Sequence, residues 1–166
     1  MIPIAFCLPV LALEKMRVSP GVPSISGVRL QSTQDQVIKR LGPPRSKRRK
    51  KYDELINNFG KMVEFSFDGL SIDLVDLGRP NGPFEVIEMR ASKPGWVVTP
   101  GFQVGMSEQA ARLVLPELER VADSNRPGEF FLHYQFPLAK SRDGGWLRLL
   151  LHAGKVVQIE ITSNVD

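Results

Sequence analysis

Apolar and polar residues alternate with a period of two in a stretch of the chain that begins near residue 62. The alternation is broken once by Asp68-Gly69 and then resumes, and a further strand at 87–89 follows a loop rich in glycine and proline at 78–82. A period of two is typical of strands that bury one face, and Asp-Gly between two such runs indicates a hairpin. The pattern therefore predicts three consecutive strands. Their alternating apolar positions include Val63, Phe65, Phe67, Leu70, Ile72 and Leu74.

A second stretch with the same period begins near residue 130. Its alternation runs through two strands and a tight turn at 152–155, and its last strand carries Ile-Glu-Ile at 159–161 where the first stretch carries Ile-Glu-Met at 87–89. The same three-strand scheme is therefore predicted again. The alternating apolar positions are Phe130, Leu132, Tyr134, Phe136, Leu147, Leu149 and Leu151.

A helix is predicted before each group of strands. Thr33 and Ser107 each place a hydroxyl directly before an amide or acid side chain, a pattern that satisfies the free backbone amides of a helix N-terminus. Gly-Pro-Pro at 42–44 ends the first helix, and Pro116 interrupts the second. The apolar helix positions are Val37, Ile38 and Leu41 in the first helix and Ala110, Ala111, Val114, Leu115 and Leu118 in the second.

The chain also contains an internal repeat, because the segment 27–37 is echoed at 101–111, 74 residues further along. Both segments lead into a predicted helix and then into strands. We therefore predict an α+β fold with an apolar N-terminal segment at 1–21, a first repeat unit at 22–92 and a second at 93–166. Two tandem αβββ units would each leave an apolar sheet face exposed, so one curved antiparallel sheet with helices packed on one face is the economical arrangement. The alternative is that two αβββ segments look alike by chance.

The first thirteen residues contain no charge and are mostly apolar. This stretch is too short for a transmembrane span of about 20 residues but suits the apolar part of an export signal. Against a signal, no Lys or Arg precedes Lys15, and a bulky Phe6 stands before Cys7 where a lipoprotein signal has a small residue. A leader and a buried N-terminal strand both remain open. Cys7 is the only cysteine, so no internal disulfide forms.

Composition adds one alternative to this picture. With 166 residues, 42% of them hydrophobic and 24% charged, the chain is typical of a globular protein. The net charge of +4 would favour nucleic acid, but six of the 22 basic residues lie in the single run 45–51. That run is a candidate phosphate-binding segment, but such a run is more often a solvated loop or an edge strand protected by charge. The candidate phosphate-binding residues are Lys47, Arg48, Arg49, Lys50 and Lys51, with Tyr52 as a base-stacking residue.

The segment that opens the second repeat, Thr99-Pro100-Gly101-Phe102-Gln103-Val104-Gly105-Met106-Ser107, lies between a strand and a helix and resembles the β-lactamase-inhibitory-protein family. It is also similar to the smaller single-unit outer-membrane assembly lipoproteins. The resemblance covers about residues 22–163. It implies a curved sheet, contributed by both repeats, whose open face grips a partner protein outside the cytoplasm. This chain departs from the family in having no disulfide in either unit, and in having Gln31-Ser32 where the second unit has Gly105-Met106.

The residues that would form this open face follow from parity along the strands. If the apolar positions face the helices, residues one step away point to the opposite side. Aromatic, Arg and His side chains on one surface are typical of protein-binding hot spots. The alternative is an ordinary half-solvated sheet, or a register error of one residue that would exchange the two faces. The predicted partner-binding residues are Phe131, His133, Trp146, Arg148 and Arg90, and Gln135, Leu150 and His152 share their parity.

Neither histidine, His133 or His152, lies in a metal-pair spacing or in a nucleophile motif, and no phosphate-binding glycine loop follows a strand. Glu88 and Glu160 occupy equivalent places in the two repeats and are the candidates for an acid–base pair. Without a residue environment that argues for catalysis, we predict a chain that is not an enzyme and needs no cofactor.

We therefore predict a non-catalytic protein-binding module of the bacterial cell envelope or periplasm, for example an inhibitor or immunity protein against a secreted or periplasmic enzyme, with no transmembrane span. Three alternatives remain: a cytoplasmic nucleic-acid-associated protein that uses the run 45–51, an envelope assembly or structural lipoprotein, and a small hydrolase built around a histidine pocket.

Overall fold

The computed structural model of this protein describes residues 21–50, 61–76, 82–122, 129–138 and 141–163. The predictions that concern the apolar segment up to residue 20, Cys7, Lys51 and Tyr52 lie outside these residues. The described part contains two short helices and ten strands. The elements are β1 (Ser24–Ile25), α1 (Gln34–Leu41), β2 (Ser46–Lys50), β3 (Met62–Phe67), β4 (Leu70–Val75), β5 (Glu85–Ala91), β6 (Val98–Thr99), α2 (Glu108–Val114), β7 (Glu119–Ala122), β8 (Phe130–Leu138), β9 (Ser141–His152) and β10 (Lys155–Ser163).

Eight of the strands form one antiparallel sheet in the order β2-β3-β4-β5-β10-β9-β8-β7, and β1 pairs with β6 in a separate two-stranded ribbon. The two halves of the chain thus contribute four adjacent strands each. They meet where β5 pairs with β10, with Met89 opposite Ile161 and Ala91 opposite Ile159. The predicted α+β fold with an antiparallel sheet is confirmed.

The core lies on one face of this sheet, which we call the helix face. Alternate residues of the central strands are buried there, and Val37 of α1 and Ala111 of α2 belong to the same core cluster. Each helix is short, so packing against the sheet rather than helix propensity stabilises it. The largest fully buried side chains are Phe65, Phe102, Ile25, Ile72, Leu74, Met89, Leu132, Leu147, Leu149, Leu151, Ile159 and Ile161.

Both helices begin with a side-chain cap, as predicted. The Thr33 hydroxyl accepts the backbone N–H of Gln36, whose side chain accepts the Thr33 N–H in return, and the Ser107 hydroxyl accepts the N–H of Ala110. α2 ends at Val114, earlier than its apolar stripe suggested. The reason is Pro116, which disfavours helical backbone in the residue before it.

The prediction of three strands per unit is wrong, because each half contributes four strands to the sheet. The additional strands are β2 and β7, which occupy the two edges. β2 consists of Ser-Lys-Arg-Arg-Lys and β7 of Glu-Arg-Val-Ala, so neither shows the apolar alternation by which the other strands are recognised. No helix in the described part of the chain is long and apolar enough to cross a membrane.

The two halves share details of connection as well as element order. Thr33 forms an isolated bridge with Glu85 at the start of β5, and Ser107 forms one with Lys155 at the start of β10. Backbone bonds also join the residue before each cap to the strand that closes its half: the Val86 N–H donates to Ser32, and the Val156 N–H donates to Met106. In each half the segment before the helix is therefore tied to the last strand.

Candidate functional site

The face of the sheet opposite α1 and α2, which we call the open face, carries no helix within the described residues. Its side chains come from the strand positions between the core residues. All five predicted partner-binding residues point to this face, because each pairs across strands with other residues of the same parity. These five are Phe131, His133, Trp146, Arg148 and Arg90.

One row of the open face runs straight across five adjacent strands. Register places Glu119 opposite His133, His133 opposite Arg148, Arg148 opposite Glu160, and Glu160 opposite Arg90. His133 Nε2 lies 3.2 Å from Glu119 Oε2, and Arg148 Nη1 donates to Glu160 Oε1 over 3.4 Å. The row alternates acidic with basic or imidazole groups over most of its length, so its members stabilise one another.

The two aromatic residues of the predicted set flank this row. Trp146 lies beside it, with its ring centroid 5.1 Å from that of His133 and the two planes tilted by 51°. Phe131 pairs with Leu150 on the other side of the row. Leu150 is only 3% exposed and Trp146 and Phe131 are half-buried, so this part of the open face mixes apolar area with polar groups.

Glu88 and Glu160, considered above as an acid–base pair, are engaged by arginines. Arg90 forms an ion pair with Glu88 and approaches Glu160, with Nε 3.7 Å from Oε2, and Arg148 contacts Glu160 from the other side. Glu160 therefore lies between two guanidinium groups from the neighbouring strands β5 and β9. The arrangement crosses the seam where β5 meets β10 and links the two halves electrostatically.

A second ionic cluster lies at the β2 edge of the open face. Lys50 Nζ is 2.6 Å from Asp73 Oδ2 and 2.7 Å from Glu64 Oε2. The hydrogen bond from Lys50 holds the pKa of Glu64 below its usual value. For Lys50 itself, burial lowers the pKa, but the hydrogen bonds to Asp73 and Glu64 and the negative charges of these two groups together outweigh it, so the net pKa is raised. Both shifts favour the charged forms and so stabilise the fold at neutral pH.

The described part of the basic run, up to Lys50, does not form a continuous basic surface, because β2 is an edge strand whose alternation divides the run between the two faces. Arg48 and Lys50 lie on the open face, where both contact Glu64. Lys47 lies on the helix face, 5.5 Å from the ring centroid of Phe65 and 3.4 Å from Gln34 Oε1, and Arg49 shares that face. Of the four described candidates for phosphate binding, at least three thus have partners within the fold.

A pocket of about 250 Å³ lies at the β7 edge of the open face, and we call it the edge pocket. His133 and Trp146 from the predicted partner-binding set line it. So do two carboxylates, Glu117 from the loop after α2 and Glu119 from β7. The lining residues are Glu117, Glu119, His133, Tyr134, Gln135 and Trp146.

The two carboxylates of the edge pocket, Glu117 and Glu119, were not predicted from the sequence, because β7 does not show the pattern of a strand. Glu119 reaches His133 only through the pairing of β7 with β8. Strand alternation gave no signal for both carboxylates, because Glu117 lies in the turn after α2 and only Glu119 belongs to β7.

The remaining histidine, His152, is 66% exposed at the β9–β10 turn, with Nδ1 3.6 Å from Glu129 Oε1. The described residues contain no group of three or more His, Cys, Asp or Glu side chains placed to hold a metal ion. The two histidines are therefore parts of separate local contacts.

Comparison of the chain with protein-family models, with curated proteins and with solved structures finds no match in any of the three.

Proposed function

We propose that this chain is a non-catalytic protein-binding module that uses its open face as the partner surface. The observation that carries the proposal is the composition and register of that face. A sheet whose other side is covered by two helices presents Trp146, His133 and Arg148 as one contiguous group, together with Phe131 and Arg90. Aromatic residues and Arg at the centre of a surface are the residue types that dominate binding energy at protein interfaces.

The partial burial of these side chains supports the same reading. Arg148 is 41% and Arg90 39% exposed, and each is held by Glu160, so their guanidinium groups are oriented before any partner arrives. Groups that are already oriented lose less conformational entropy on association, which raises affinity for a given contact area. A pre-oriented row across β9, β10 and β5 suits a partner that lies flat on the sheet.

We also propose that the two halves are tandem copies of one unit. β1 and β6, and likewise the starts of α1 and α2, are separated by 74 residues, the same separation as the sequence echo. Gln31 adopts a left-handed backbone, with φ of 66°, at the position that corresponds to Gly105, with φ of 97°. The unusual backbone at matched positions supports descent from a common unit, since a non-glycine residue rarely adopts it.

The specific form of the proposal is an inhibitor or immunity protein of the bacterial envelope, whose open face covers the cleft of a secreted or periplasmic enzyme. An inhibitor needs a rigid surface, and a continuous eight-stranded sheet with a single core cluster provides one. The nucleic-acid alternative draws less support, because β2 divides the basic residues between two faces and most of them are paired.

The test is affinity capture of the tagged chain from its own cells, with fractionation and nuclease treatment, using wild type and the double variant Trp146→Ala, Arg148→Ala. The matched control is Leu113→Ala, Lys39→Ala, which also removes one large apolar and one basic side chain, from exposed positions of α2 and α1. We expect the open-face variant to recover at least about tenfold less of the partner, because central interface residues cost about 2 kcal/mol or more each on truncation. Far-UV circular dichroism verifies that both variants are folded.

The proposal fails if both double variants recover the same partner in equal amount. It also fails if the only captured material is nuclease-sensitive and is lost when Lys47, Arg48, Arg49 and Lys50 are neutralised, since that result would assign the binding to β2. If the captured protein is an enzyme, added wild-type chain is expected to reduce its activity in proportion to complex formed.

A further inference from the structure

The edge pocket has the chemistry of a receptor for one organic cation. Its two carboxylates, Glu117 and Glu119, lie on the wall formed by the end of the α2 loop and β7, and Trp146 provides an aromatic wall from β9. A cation placed between carboxylates and the face of an indole gains from ion pairing and from attraction to the ring quadrupole. The described residues that line the pocket include no Lys or Arg, and the one imidazole among them, His133, lies 3.2 Å from Glu119 Oε2.

Two described arginines that adjoin lining residues are held by other groups of the fold. Arg148, which pairs with His133 across the sheet, donates to Glu160 on the far side from the pocket. Arg112 of α2 forms an ion pair with Glu108 at 3.0 Å and donates Nη1 to the Leu118 carbonyl. The Glu119 side chain is 79% exposed and the Glu117 residue is also exposed, so a cationic ligand can reach both carboxylates from solvent.

Size determines what kind of cation suits the pocket. At about 250 Å³ it is smaller than the pockets of about 300–1,000 Å³ that take drug-sized ligands or cofactors. A metal ion is disfavoured, because within the described residues no group of three ligating side chains converges. A single lysine or arginine side chain, whose stem packs on Trp146 while its head reaches the carboxylates, fits both the volume and the lining.

We propose that the edge pocket receives a lysine or arginine side chain of the partner protein. The proposal rests on the proposed function, since the pocket shares His133 and Trp146 with the open face. It adds a chemical requirement to the partner. The partner must carry a basic residue at the rim of its contact surface, placed to lie over β8 between Glu119 of β7 and Trp146 of β9. A charge pair at the rim mainly sets specificity and association rate.

The experiment uses small probes, so it does not depend on knowing the partner. N-acetyl-arginine methylamide and N-acetyl-lysine methylamide are titrated into the full chain, and the two indole N–H resonances are followed by NMR. N-acetyl-citrulline methylamide is the control probe, because it has nearly the same shape as the arginine derivative without the charge. Trp96 is an internal reference, since its indole N–H donates to the Asp68 carbonyl at 2.9 Å, away from the pocket.

We expect both charged probes to shift the Trp146 resonance saturably at millimolar concentration while the Trp96 resonance stays in place. The variant Glu117→Gln, Glu119→Gln is expected to weaken this binding about tenfold, from the loss of two partly exposed ion pairs. The variant Asp35→Asn, Asp68→Asn removes the same charge at distant exposed positions and should leave the affinity unchanged.

The proposal is overturned if the citrulline probe binds as well as the arginine probe, if neither charged probe shifts Trp146 below about 50 mM, or if the two charge variants weaken binding equally. Its failure is separable from that of the proposed function. Probe binding without any effect of Trp146→Ala, Arg148→Ala on partner capture would retain the cation site and refute the interface. The reverse result would retain the interface and refute the cation site.

Discussion

The ammonium group of Lys50 on β2 forms ion pairs with the carboxylates of Glu64 and Asp73, which lie on neighbouring strands and are largely shielded from solvent. Replacing Lys50 by methionine tests how strongly this ionic cluster stabilises the fold. The Lys50 side chain is 24% exposed, that of Glu64 18% and that of Asp73 only 7%. Methionine keeps the apolar stem and removes only the ammonium group. The variant therefore leaves Asp73 and Glu64 facing one another across β3 and β4 without a cation at 2.6–2.7 Å.

The expected cost lies between two limits. Breaking a fully buried ion pair destabilises a protein by about 3–5 kcal/mol, and an exposed pair contributes about 0.2–1 kcal/mol. Because Asp73 is buried while Lys50 remains partly solvated, we expect Lys50→Met to lower the free energy of unfolding by about 2–3 kcal/mol. The double variant Lys50→Met, Asp73→Asn also removes the buried negative charge of Asp73, and it should recover about half of that loss in the free energy of unfolding.

The assay is urea unfolding followed by circular dichroism, at neutral pH and at progressively lower pH. The folded-state pKa of Glu64 is lowered, so its contribution is complete above the unfolded pKa and is lost as the pH falls through the folded value. The difference between wild type and Lys50→Met should therefore shrink in acid. A loss below about 0.5 kcal/mol at neutral pH, or a difference that grows in acid, would refute the reasoning.

Three further predictions follow from backbone and surface positions. Gly105→Ala should lower the free energy of unfolding by about 1 kcal/mol in urea titrations, because φ is 97° there while the added Cβ would meet no atom within 4 Å, so the cost is in the backbone alone. Thr33→Ala should cost about 1 kcal/mol by the same assay, since it removes one half of a reciprocal cap, and Thr33→Ser should restore most of it. Lys93→Gln should raise the pKa of Asp68, measured by NMR titration, because the hydrogen bond and charge of Lys93 hold that pKa down; the stability should hardly change, because the pair is exposed.

Local pattern predicted the central part of the fold well. The alternating apolar residues of β3, β4, β8 and β9 belong to the core or pack against it, and the caps at Thr33 and Ser107 start the two helices. The edges were not predictable in this way. An edge strand buries little side-chain area, so β2 and β7 carry hardly any hydrophobic signal, and their assignment depends on backbone pairing with β3 and β8.

For the candidate site as well, the sequence predicted which residues share a face but not the contacts between elements. Parity along β8 and β9 was enough to place His133 and Trp146 on one face, because successive strand residues must point to opposite sides. The contacts that define their environment join residues from different elements. Glu119 meets His133 across 14 positions, and Arg90 meets Glu160 only because β5 pairs with β10.

The sequence by itself therefore determined which segments are strands with a buried face, where the helices begin, and which side chains share the face opposite the core. These properties depend on the period of the backbone and on neighbours a few residues away. Only the tertiary structure decided that the last strands of the two halves pair at the centre, that charged edge strands complete the sheet, and that Glu160 lies between two arginines. The edge pocket is likewise a feature that only the tertiary structure decided. Its walls come from separate segments of the chain, which become neighbours only through the strand order and register of the sheet.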